Sequence, residues 1–155
     1  MAENPWKQAE RARAGALVLI DRQQNYRKTL HEKFKLLGFQ VLAFPDYQEG
    51  IRAAIAQKVI GVFIDVIPGL PESVSYVKKL RQELGPTALI FTMSNYPSAR
   101  DMKYDLKAGG ATDCFEKPLH ADNFIYILKL LDSALKADAS EADQNADKTV
   151  VKNAA

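Results

Sequence analysis

The chain has 155 residues, 47% hydrophobic and 26% charged, a composition that suits one ordinary globular domain with polar ends. A formal net charge of +2 gives no argument for nucleic acid. No apolar run approaches the roughly 20 residues that span a bilayer, and a single cysteine, Cys114, excludes an intrachain disulfide or a cysteine-based metal cluster. The opening MAENPWKQAERARAG carries no apolar segment of the secretory kind, so the expected compartment is the cytoplasm.

Residues 1–14 read as a polar arm, either a loose helical turn or irregular chain. ALVLI (Ala16–Ile20) is a short apolar run bounded by Gly15 and Asp21, hence a buried strand. Tyr26–Leu37 sets Leu30, Phe34 and Leu37 at helical spacing before a Gly38 stop. FQVLAF is a second strand, ended by Pro45. Asp46 caps a helix in which Ile51, Ala54 and Ile55 share a face. VIGVFI is the third strand, and Ser73–Leu84 a helix with Val74, Val77, Leu80 and Leu84 in one stripe. ALIFT is the fourth strand, followed by a helix from about Ser98 to Ala108 with Met102 and Leu106 inward. TDCFE is a short fifth strand, and Ala121 to about Leu135 a last helix stacking Phe124, Ile127, Leu128, Leu131 and Leu135. The remainder, from residue 137, is Ala- and Asp-rich with few large apolar groups and reads as a flexible tail. The expected division is an arm at 1–14, a domain at 15–136 and a tail at 137–155.

Continuous apolar strands alternating with amphipathic helices predict a parallel sheet covered on both faces. Right-handed crossovers favour a doubly wound α/β sheet of order 2-1-3-4-5, with chemistry beyond the carboxyl ends of the strands at the switch point. Those ends carry Asp21 on strand one, Asp65 on strand three, Thr92 on strand four and Lys117 just after strand five. Two carboxylates, a hydroxyl and an ammonium suit phosphoryl transfer to a carboxylate. Asp65 is the expected nucleophile. Asp21, Asp65 and a backbone carbonyl, that of Ile67, are the expected ligands of a weakly held Mg²⁺. Thr92 would donate to a phosphoryl oxygen. Lys117 would neutralise another and pair with Asp65 at rest, and the Lys117–Pro118 bond is a candidate cis peptide.

On the segments VLIDRQQNYRKTL, VFIDVIPGLP, LIFTMS and GGATDCFEKPL, the chain from about Ala16 to Leu135 resembles the receiver domain of bacterial two-component response regulators. The resemblance implies a phosphohistidine donor on a histidine kinase or phosphotransfer protein. It also implies a downstream protein partner docked by the receiver, slow self-catalysed hydrolysis of the acyl phosphate, and a homodimer through the fourth and fifth helices as one assembly. From the small net charge and the short apolar runs, no nucleic-acid or membrane partner is expected.

The sequence departs from that pattern at defined places. Arg22 stands where the family has a second acid after strand one. Pro68 comes three residues after Asp65 rather than four, and Glu72-Ser73 stand near an expected glycine. Met93 replaces a small residue beside Thr92, and Cys114 occupies the position of a switch aromatic. An inward Arg22 would compete with a metal, because unit charges at 4 Å interact by about 4 kcal/mol at an effective dielectric of 20. Two other functions are therefore weighed. One is a phosphorylation-independent pseudo-receiver acting as a protein-interaction module, with Arg22 and Lys117 neutralising the aspartates. The other is a flavin- or nucleotide-binding protein, disfavoured because no Gly-rich phosphate loop follows ALVLID.

Overall fold

Every residue of β1 (Ala16–Ile20) is buried, as a strand must be when helices cover both of its faces. In the computed structural model, which describes residues 4–153, β1 lies near the middle of a five-stranded sheet of order β2-β1-β3-β4-β5. Its partners are β2 (Gln40–Phe44), β3 (Val59–Asp65), β4 (Leu89–Ser94) and β5 (Asp113–Glu116). All four pairings are parallel. The expected order of the doubly wound α/β sheet is the observed one.

Alternation along the strands sorts side chains onto two faces. Leu17, Leu19, Phe63, Phe91 and Met93 face one layer, built from α2 (Gln24–Leu36) and α6 (Ala121–Asn153) through Leu30, Phe34, Ile127 and Leu131. Val18, Ile20, Val62, Ile64 and Ile90 face the other. Its helices are α3 (Tyr47–Ala56), α4 (Glu72–Leu84) and α5 (Lys103–Gly109), which bring Ile51, Ala54, Val77, Leu80 and Leu106. The Asp46 side chain accepts from the Glu49 amide at 2.9 Å, the cap that the sequence suggests for α3. Gly50 lets α3 approach β1 closely: a Cβ there would lie 2.5 Å from the Ile20 side chain.

Three local features differ from the sequence reading. Ile55 is 39% exposed, so the buried stripe of α3 is carried by Ile51 and Ala54. The helix expected from Ser98 begins only at Lys103. Residues Pro97–Arg100 form a 3-10 turn, closed by Ala99 N–H to Tyr96 C=O and followed by Met102 N–H to Ala99 C=O. The chain spends those residues on the 3-10 turn, and Met102 offers α5 no side-chain cap among the described residues. Finally, α6 runs on as helix through Asn153, with residues 136–149 exposed. A Lys58–Asp138 ion pair at 3.7 Å links that extension to the domain, and Lys136 and Ala139 line a cavity with Glu10 and Arg13 of α1. Residues 154–155 of the expected tail and 1–3 of the expected arm lie outside the described residues.

The rest of the arm is α1 (Pro5–Ala14), capped by Asn4 and anchored through one buried cation. Arg11 donates in a two-pronged pair to Asp132 of α6, at 3.0 and 3.1 Å, and at 2.8 Å to the Leu37 carbonyl after α2. Its guanidinium lies 4.9 Å from the Phe39 ring centroid. Arg11 is 1% exposed while Asp132 is partly solvated, so Arg11→Ala should destabilise the fold by about 2–3 kcal/mol, below the full cost of breaking a buried pair. Chemical denaturation of the two proteins measures this, and α1 should lose its protection from amide exchange in the variant.

Candidate functional site at the strand ends

Two elements end in carboxylates because the apolar run that buries each strand stops there. Asp21 follows β1 directly, and Asp65 is the last residue of β3. Both are buried, and so is the ammonium that meets them. Lys117, one residue past β5, places Nζ 2.6 Å from Asp21 Oδ2 and 2.8 Å from Asp65 Oδ1. Its side chain is 1% exposed, and its Nζ also stands 4.9 Å from the Tyr26 ring centroid. A third contact runs from Nζ to Gln23 Oε1 at 3.3 Å, an oxygen that also accepts from Asn95 Nδ2 at 2.6 Å. The Lys117–Pro118 peptide is cis. The sequence placed Asp21, Asp65 and Lys117 together, and the structure brings these three into contact.

Thr92 takes a different place, and the register explains why. Asp65 pairs with Met93, so those two side chains leave the sheet on the same side, whereas Thr92 pairs with Ile64 and with Cys114. The Thr92 hydroxyl meets the Cys114 thiol, whose pKa is raised mainly by burial. Both line a cavity of about 320 Å³ with Val66, Ser94 and Leu106, on the α5 side of the sheet. Among the described residues no hydrogen bond joins Thr92 to Asp65.

Asp65 opens instead to a depression of about 350 Å³ lined by Arg22, Gln23, Ile67, Asn95 and Tyr96. Arg22 is exposed and makes no ion pair with either aspartate among the described residues. Its guanidinium lies 5.8 Å from the Tyr47 ring centroid, and Tyr47 in turn stacks on Tyr76. Arg22 therefore stands at the mouth, neither driven into the carboxylate cluster nor swung clear of it.

Sequence reasoning passed over Gln23, Asn95 and the two tyrosines at the first turns of α2 and α3. Tyr26 Oη accepts from the Leu119 amide at 3.2 Å, which ties the segment after Lys117 to α2. Tyr47 Oη is buried and has no hydrogen-bond partner among the described residues, a cost of about 1–3 kcal/mol for an unmet polar group. Burial raises the Tyr26 hydroxyl to about 12, and does the same for Tyr47 with help from the Asp65 charge. An aromatic in the first turn after each of β1 and β2, near a strand-end carboxylate, was the available signal.

The donor set fits a divalent cation badly. Asp21 Oδ1 accepts from the Gln23 amide at 2.8 Å and Oδ2 from Lys117. The Ile67 carbonyl, an expected third ligand, already accepts from the Leu70 amide at 3.2 Å and lies 3.4 Å from Ser73 Oγ. Among the described residues no cluster of three metal-binding side chains exists. Buried Ser73 folds the loop back on itself in this way, because its hydroxyl also accepts from the Ile67 amide at 3.3 Å.

Desolvation raises the Asp65 carboxyl above its usual 3.8, outweighing the Lys117 hydrogen bond that lowers it, while the Asp21 charge raises it further. A raised folded-state value gives stability that is complete below the unfolded value and is lost as pH climbs through the folded one. Asp65→Asn removes that loss. The variant should match wild type below about pH 3.8, gain on it as pH rises above that value, and keep a constant advantage once Asp65 is ionised in the folded protein. Thermal melts of both proteins across that range test the sign, and a variant less stable at neutral pH would reverse it.

No protein-family model matches the chain, and the comparison with curated proteins gives no match. Solved structures do match. A response regulator protein from Burkholderia pseudomallei, with a phosphorylated aspartic acid, a calcium ion and citrate, is 24% identical at a TM-score of 0.63, over 84% of this chain and 74% of that one. A CheY-like receiver domain protein from Methanospirillum hungatei is 17% identical at a TM-score of 0.68, over 79% and 97%. A response regulator from Thermotoga maritima is 24% identical at 0.65, over 76% and 98%. No helix among the described residues is long and apolar enough to cross a membrane. The chain has the fold of the response-regulator receiver domain.

Proposed function

We propose that the chain is a receiver of two-component signalling whose Asp65 accepts a phosphoryl group from the phosphohistidine of a kinase or phosphotransfer protein. The observation that carries this reading is the buried Lys117 ammonium, 2.8 Å from Asp65 and 2.6 Å from Asp21. An ammonium there holds the acceptor oxygen in place and offsets charge that gathers on a transferred phosphoryl group. In the transfer, an Asp65 carboxylate oxygen forms a new bond to phosphorus. The bond from phosphorus to the donor breaks, and the donor atom leaves with the electron pair.

The Burkholderia pseudomallei structure, with its phosphorylated aspartic acid, supports the same chemistry by likeness of fold. That structure also contains a calcium ion. In the present chain a divalent ion such as Mg²⁺ would find only Asp21 and Asp65 as side-chain ligands. Output is the docking of a downstream protein, in the cytoplasm. A homodimer is one form that the α5–β5–α6 side can take.

A second reading has its own observation. The Thr92 hydroxyl is paired with Cys114 and turned from Asp65, so a module that binds partners without phosphorylation also accords with the site. Exposure of the protein to acetyl phosphate, with and without magnesium, separates the two. The phosphoacceptor reading predicts a hydroxylamine-labile phosphate on Asp65 that Asp65→Asn abolishes. Absence of label under both conditions would leave the interaction module.

A further inference from the structure

The geometry points to Arg22 as the counter-cation for an oxyanion at Asp65, a task that a divalent metal would otherwise perform. This rests on the phosphoacceptor reading and goes beyond it. Three observations converge. Arg22 lines the depression into which Asp65 opens, and it is held there over the Tyr47 ring. The candidate metal ligands are committed elsewhere, Asp21 to Lys117 and to the Gln23 amide, and the Ile67 carbonyl to its own loop. The Tyr47 hydroxyl is a buried donor without an acceptor among the described residues, in the field of Asp65.

Charge makes the case quantitative in sign. Asp21 and Asp65 against Lys117 leave one negative charge at rest. A phosphoryl group on Asp65 replaces one negative charge by about two, so the cluster would stand near −2 without further help. Arg22 is the cation that lines the depression at Asp65 among the described residues, and its planar fork matches two phosphoryl oxygens. An acid at this position would instead add charge and demand a metal. The ligand class is thus a tetrahedral oxyanion, carried on Asp65, received by Lys117 from below and Arg22 from outside.

Beryllofluoride, which mimics the acyl phosphate, tests this on the full chain by amide chemical shifts in magnesium-free buffer. Wild type should show saturable shifts around Asp65 and Lys117. Arg22→Gln should weaken that magnesium-free affinity by about tenfold, the effect of losing one partly screened charge contact. Arg22→Asp should make binding depend on magnesium. Arg22 is exposed, so these variants should keep the wild-type melting temperature. Wild-type binding that appears only with magnesium, or an Arg22→Gln affinity equal to wild type without it, overturns the role of Arg22 and leaves Asp65 as acceptor. Failure to bind with or without magnesium overturns both.

Discussion

One buried ammonium holds the strand ends together. Without Lys117, the Asp21 and Asp65 carboxylates would face each other in a desolvated crevice, and burial alone already lifts the Asp65 carboxyl. With it, carboxylates from two neighbouring strands and a cation following a third become one hydrogen-bonded unit. The surrounding structure serves that unit. Tyr26 gives the ammonium a π face and pins the backbone after it through Leu119. Gln23 carries the contact outward to Asn95, after β4.

Two openings lie beyond this unit. One is the Asp65 depression, rimmed by Arg22 and Asn95. The other is the Thr92–Cys114 cavity, closed by α5 and by the Arg100–Glu116 pair at its edge. A one-residue difference in strand register would exchange these assignments. Successive β4 residues face opposite layers, Met93 level with Asp65 and Thr92 level with Cys114. Because Cys114 is small, its side of the sheet contains space where a larger residue would fill it.

Much of this was legible in the sequence, and for a physical reason. Strands buried on both faces must be continuous apolar runs, and a charged residue that ends such a run is conspicuous; Asp21 after ALVLI and Asp65 after VIGVFI are of that kind. Asp46 was visible because N-caps need a short acceptor just before the helix. Other features depend on three-dimensional proximity that spacing does not encode. Nothing near Arg11 in the chain marks it as buried, since its partner Asp132 is 121 residues away. The face on which Thr92 emerges depends on a pairing register. The direction of Arg22 depends on an aromatic ring from α3. The length of α6 was misjudged because a polar, alanine-rich segment has no core signature, yet good local propensity can continue a helix that the core has already nucleated.

The account turns on the Lys117 ammonium being shielded and shared by two carboxylates. Nitrogen-15 NMR of the lysine side chains tests this directly. A charged, fully hydrogen-bonded ammonium buried to 1% exposure should give a slowly exchanging NH₃⁺ resonance at neutral pH, perturbed by both Asp21→Asn and Asp65→Asn. A Lys117 ammonium that exchanges as fast as the surface lysines, and is indifferent to both substitutions, would contradict the account.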